Sequence, residues 1–143
     1  MTLGLLLGMI ALLPRPVADQ TCLAATVYME ARSQPTRGQL AVAEVALDRM
    51  DAGRYGDTIC DVVTAPRQFA LTTTSRNFRI DNQAAWNKAW QIAGQAIEIW
   101  NEPASRRKLV VPGANHFIRL GSTATWAKNP IATIGDHEFY AVD

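Results

Sequence analysis

The spacing of apolar residues changes once along this chain, and that change limits its fold more than any other feature. Up to residue 100 apolar positions recur at helical intervals; beyond Arg106-Arg107-Lys108 they gather into short runs at 109–111, 115–120 and 133–140. Such runs read as strands. Helices first and a small sheet last predict an α+β domain, mainly helical, with a small C-terminal antiparallel sheet. A chain of 143 residues builds one hydrophobic core, and no repeat, low-complexity tract or linker divides it. The net charge of +1 supplies no long-range field, so nucleic acid is excluded as the main partner.

Residues 3–13 form an uncharged run of 11 ending at Pro14. As a helix it rises about 16 Å, half a bilayer core, and cannot span a membrane. It reads as the apolar region of a signal peptide or signal anchor, with Ala18 as the last residue before cleavage. The chain then divides into a hydrophobic leader at 1–20 and a domain at 21–143. Export to the periplasm or cell envelope follows, or delivery to a host envelope if a phage encodes the protein, with at most transient membrane association through residues 3–13. Against this stand the lack of Lys or Arg before the run and Pro16 near the cleavage position. The other reading is a short apolar helix that packs on the domain or on a partner.

Cys22 and Cys60 are the only cysteines. In an exported chain a bridge between them closes a loop of 39 residues, worth about 4 kcal/mol in loop-closure entropy. In the cytoplasm both are small buried apolar residues.

Helical spacing from Cys22 to Arg32 ends before Pro35. Thr36 and Gln39 have the form of a capping box for a second helix reaching about Ala52. That helix carries Arg37, Glu44, Asp48 and Asp51 in one polar row, which reads as a solvated face. Thr58 and Asp61 cap a short helix that stops at Pro66. Residues 67–80 read as a long loop with three arginines and no acid. Asp81 or Asn82 caps a third long helix whose stripe includes Trp86, Trp90 and Trp100 as core residues.

One residue stands out chemically. Glu30 lies within about 60° of Leu23 and Val27 on the first helix, while Arg32 points the other way. A carboxyl on an apolar face loses hydration, its pKa rises, and it can act as a general acid. Spacing places no second carboxylate opposite it. His116 and His137 suggest zinc with Glu30 or Glu138, but no ligand spacing supports this, and neither metal nor other cofactor is expected. Trp126, in a loop between strands, is the tryptophan best placed to meet a ligand.

The stretch Tyr28-Met29-Glu30-Ala31-Arg32, then Gly38 to Ala43 and Leu47-Asp48-Arg49, resembles the SleB-type cell-wall hydrolases. The resemblance continues through Tyr55, Thr58 to Val63, Gln68-Phe69, Ala114 to Phe117, Trp126 and Ile134 to Tyr140. It implies a lysozyme- or lytic-transglycosylase-like fold, action on peptidoglycan glycan strands, and Glu30 as the catalytic glutamate. Tyr28, Gln68, Phe69, His116 and Trp126 are the substrate-binding residues it suggests, and the protein is expected to be a monomer. The family's usual Gly-Glu is replaced by Ser33-Gln34, its Asn by Asp48, and its Ser-Trp-Thr by Ala70-Leu71-Thr72, changes that bear on substrate subsites.

Cleaving the bond between N-acetylmuramic acid and N-acetylglucosamine hydrolytically normally takes two carboxylates. A lytic transglycosylase manages with one, so a lone glutamate favours that chemistry. The alternatives are a hydrolytic muramidase, a metal-dependent amidase, or a non-catalytic wall-binding or phage structural component. The arginines at 67–80 either face stem-peptide carboxylates or form a solvated basic loop.

Overall fold

The computed structural model describes residues 1–143. Six helices come first: α1 (Leu3–Ile10), α2 (Arg15–Ala31), α3 (Thr36–Ala52), α4 (Ile59–Val63), α5 (Ala70–Thr73) and α6 (Gln83–Trp100). A 3-10 turn at Ala104–Arg106 leads to three strands: β1 (His116–Arg119), β2 (Ala132–Ile134) and β3 (His137–Tyr140). The sheet is antiparallel, ordered β1-β3-β2, with Phe117 opposite Phe139 and Thr133 opposite Glu138. This is the α+β arrangement anticipated from the change of period.

The core is built around α2. From Thr21 to Tyr28 every residue of α2 is buried, which a helix tolerates only when neighbours cover all sides. Ala24 and Ala25 on α2 and Ala89, Ala93 and Ala96 on α6 are all buried, small residues that let helices approach closely. The Cys22–Cys60 disulfide fastens α2 to α4.

Several local expectations hold. Thr58 and Asp61 form a reciprocal capping box at α4, and the Asn82 side chain accepts the Ala85 N–H at the start of α6. At α3 the expectation fails. Pro35 occupies the cap position without a side-chain bond, and the Gln39 carboxamide donates instead to the Gln34 carbonyl at 3.1 Å. Residues 67–80 are not wholly irregular, because α5 lies within them.

Residues 109–111 form no strand. The N–H groups of Val110 and Val111 donate to the Glu44 carboxylate at 2.9–3.0 Å rather than to a ladder. The run 133–140 is two strands, split by Gly135 at φ +57°. A side chain there would also collide with the Gln34 carboxamide, whose amide and oxygen bond the Asp136 carboxylate and N–H.

The N-terminal segment is continuous with the helical part of the structure. α2 runs through residue 20, and Pro16 fits within its first turn. Leu3, Leu6 and Ile10 join the core, and backbone bonds tie the segment to residues 76–80: Leu3 N–H to Phe78 O at 2.8 Å, Ile80 N–H to Met1 O at 2.8 Å. In the structure the apolar run packs on the domain along one face. No helix is long and apolar enough to cross a membrane.

Candidate active site

Glu30 occupies the last turn of α2, where the chain is about to leave the core. Its side chain is half-buried and accepts a hydrogen bond from the Ala70 N–H at 3.2 Å. Ala70 is the first residue of α5, so the bond uses an N–H that a helix start leaves without an internal partner. Burial pushes the Glu30 carboxyl above its ordinary pKa, against the opposing pull of the Ala70 N–H and the Arg49 charge. Desolvation wins, which keeps the acid form available.

Arg49, in the last turn of α3, is fixed on two sides. Its Nε donates to the Asn115 carbonyl at 2.8 Å, and its guanidinium lies 4.8 Å from the centre of the Phe69 ring. One terminal nitrogen is buried with no partner. Burial lowers the Arg49 pKa, while Tyr55, Glu30 and Asp48 support its charge. The arginine remains a cation, since even a lowered guanidinium pKa stays far above neutrality.

Arg49 also lines a depression of about 290 Å³, together with Asp48, Arg54, Tyr55, Asn115 and His116 and with Val142 and Asp143. Glu30 does not line it; Arg49 is the residue common to both. Beside the depression the His116 ring packs at a tilt against Trp126, centroids 4.6 Å apart, and Trp126 meets Tyr140 edge-on at 5.4 Å. His116 Nδ1 is 2.8 Å from the Asn115 side-chain oxygen. Burial and the charges of Arg49 and Arg54 lower the His116 pKa and favour neutral imidazole.

The residues suggested as substrate-binding thus divide. His116 and Trp126 come together at the depression. Phe69 is buried and packs on Phe117 and Arg49, so it acts on the site by placing Ala70. Gln68 is half-buried in the preceding turn, its side chain within 3.4 Å of the Pro66 carbonyl. Tyr28 is only 2% exposed, and its hydroxyl accepts the Asn82 N–H at 3.3 Å. That side chain joins α2 to α6 and presents no surface to a ligand.

His116 and His137 sit at opposite ends of the β1–β3 pairing, and no three His, Cys, Asp or Glu side chains converge as metal ligands do. His137 is buried against Phe117. Of the three loop arginines, Arg76 and Arg79 lie against the N-terminal segment rather than beside Glu30.

Three contributors escape a reading of side-chain spacing. The Ala70 N–H is a backbone group with no sequence signature. Arg49 lies 19 positions from Glu30 and meets it only through tertiary packing. Glu44 belonged to the row read as solvated, yet it is 3% exposed and holds two backbone N–H groups. A signal for Glu44 did exist: apolar residues cover almost every other face of α3, and the whole stretch Gly38 to Leu47 is buried.

Fold and site together define an α+β domain of the kind found in cell-wall lytic enzymes. The chain belongs to the cell wall hydrolase family, whose profile matches residues 33–140 and so begins just after Glu30. Among curated proteins it is 31% identical over 126 residues to a spore cortex-lytic enzyme of Oceanobacillus iheyensis, covering 85% of this chain and 41% of that protein. It is 26% identical over 127 residues to the spore cortex-lytic enzyme of Bacillus cereus, covering 85% and 43%. The chain therefore spans about two fifths of the length of these relatives.

Among solved structures it is similar to the catalytic domain of the germination-specific lytic transglycosylase SleB from Bacillus anthracis. The TM-score is 0.65 at 27% identity, covering 85% of this chain and 92% of that one. The catalytic domain of the Bacillus cereus SleB protein gives 0.63 at 27%, covering 85% and 88%.

Proposed function

We propose that this protein cleaves peptidoglycan glycan strands between N-acetylmuramic acid and N-acetylglucosamine as a lytic transglycosylase, with Glu30 as acid and then base. The observation that carries this reading is Glu30 itself: a desolvated carboxyl, its pKa raised, held by one backbone N–H near a fixed cation. Protonated Glu30 gives its proton to the glycosidic oxygen as the bond to C1 breaks. The muramic acid 6-hydroxyl oxygen then bonds to C1, and its proton passes to the Glu30 carboxylate. Products are a 1,6-anhydro-muramic end and a free 4-hydroxyl, and Glu30 returns to its starting state. Arg49 supports the transient carboxylate.

The substrate lies outside the cytoplasmic membrane, and a structural disulfide such as Cys22–Cys60 suits an oxidising compartment. Export to the periplasm or envelope is consistent with both.

The test is muropeptide analysis by mass after digestion of purified sacculi with the wild type and Glu30→Gln. Anhydro products from the wild type and none from the variant are expected. Reducing ends without anhydro species would overturn the transglycosylase reading in favour of a hydrolytic muramidase. Asp48 supports that second reading, because it lines the depression and shares Arg49 with Glu30. It predicts that Asp48→Asn abolishes turnover, which the single-carboxylate mechanism does not.

A further inference from the structure

We propose that the apolar strip formed by α1 and the turn after it docks on an anionic lipid surface. The inference stands on the N-terminal segment alone and does not depend on the function proposed above.

α1 has two apolar faces. Leu3, Leu6 and Ile10 are buried against the domain, while Met1, Leu5, Met9 and Leu12 follow one another at intervals of three or four and remain exposed. Leu12, at the turn, is 86% exposed and Leu5 57%. Leu13 and Val17 extend the strip, so that six of the eight exposed large apolar side chains of the molecule lie within its first 17 residues. Such a concentration marks an interaction surface, since scattered single exposures are the ordinary case.

Its surroundings are basic. No charged side chain occurs in residues 1–14. Arg76 and Arg79 are both exposed and are held beside the start of α1, where the Gly4 N–H donates to the Arg76 carbonyl at 2.9 Å and Thr2 bridges to Arg79. Arg15 follows the turn, 67% exposed even with Asp19 3.7 Å away. An apolar strip flanked by arginines matches the acyl boundary and the headgroups of an anionic leaflet.

Other occupants fit less well. Eight helical residues extend about 12 Å, against about 30 Å for a hydrocarbon core, so the strip lies in the interface and does not cross. A second copy of the chain would need roughly 800 Å² from each partner. The strip supplies six side chains, against about 20–30 residues from each side in such an interface.

The experiment is flotation of the full chain with vesicles of equimolar phosphatidylglycerol and phosphatidylcholine, and with phosphatidylcholine alone. Binding to the anionic vesicles is expected, at least tenfold weaker on the neutral ones and weakened by salt. Leu5→Glu with Leu12→Glu should reduce it at least tenfold, and Arg76→Ala with Arg79→Ala several-fold, with circular dichroism confirming that the variants fold. Absence of binding to the anionic vesicles overturns the proposal, as does binding that the Leu5→Glu, Leu12→Glu pair leaves unchanged. Sedimentation showing a dimer abolished by that pair also overturns it, because a second copy would then cover the strip. If a variant does not fold, the wild-type difference between the two vesicle types decides.

Discussion

The Arg49 guanidinium lies 4.8 Å from the centre of the Phe69 ring, and through this contact the end of α3 holds the residue that immediately precedes α5. Phe69 precedes Ala70, whose N–H meets Glu30 at 3.2 Å. One arginine therefore acts on the acid in two ways, by its charge and by the position of the loop that supplies the hydrogen bond.

Glu30→Gln should lower turnover of glycan strands by about 10²–10⁴-fold, the usual contribution of a positioned general acid. Its effect on stability has the opposite sign at neutral pH. A carboxyl whose folded pKa is raised above 4.5 stabilises the fold at low pH and loses that contribution as pH climbs through the raised value. Thermal melts at pH 4 and pH 7 should therefore show the variant gaining on the wild type at the higher pH; a relative loss would contradict desolvation as the dominant influence.

Arg49→Met removes a charge that favours the Glu30 carboxylate. The acid form then persists to higher pH, and the descending limb of the pH–rate profile should move upward while kcat falls. Arg49→Lys should restore part of the shift. A lowered melting temperature with an unmoved limb would assign Arg49 to packing alone.

Glu44→Ala leaves the N–H groups of Val110 and Val111 without acceptors in a largely dry setting. At about 1–3 kcal/mol for each buried unsatisfied group, urea denaturation should show a loss of roughly 2–6 kcal/mol. A loss under 0.5 kcal/mol would mean that water replaces the carboxylate there.

Breaking the Cys22–Cys60 bridge, with its separation of 38 residues, should cost about 4 kcal/mol from loop-closure entropy. Denaturation with and without reductant measures it directly, and coincident curves would refute it.

Trp126→Ala removes the ring against which His116 packs. If this pair holds sugar rings, KM should rise about tenfold with kcat largely kept, the signature of lost binding common to ground and transition states. An unchanged KM would remove the pair from the binding surface.

Much of the helical architecture could be read from the residues directly. The capping box at Thr58 and Asp61, the Asn82 cap and the apolar face carrying Glu30 follow from local rules that operate within a few residues. The strands were harder to place. Residues 109–111 have strand composition, but their N–H groups found the Glu44 carboxylate, a partner more than 60 positions away in the chain.

The pattern of apolar residues and caps set the order of elements, the mixed α+β class and the candidacy of Glu30, because each depends on neighbours within one or two helical turns. Folding decided what surrounds that glutamate. Arg49, Ala70, His116 and Trp126 come from different elements and converge only when α3, α5 and the sheet are in place. The packing of residues 3–13 is likewise visible only in the tertiary structure. An uncharged run suits a leader, a membrane surface or a core equally well, and its burial against α2 and residues 76–80 is a long-range outcome that composition cannot express.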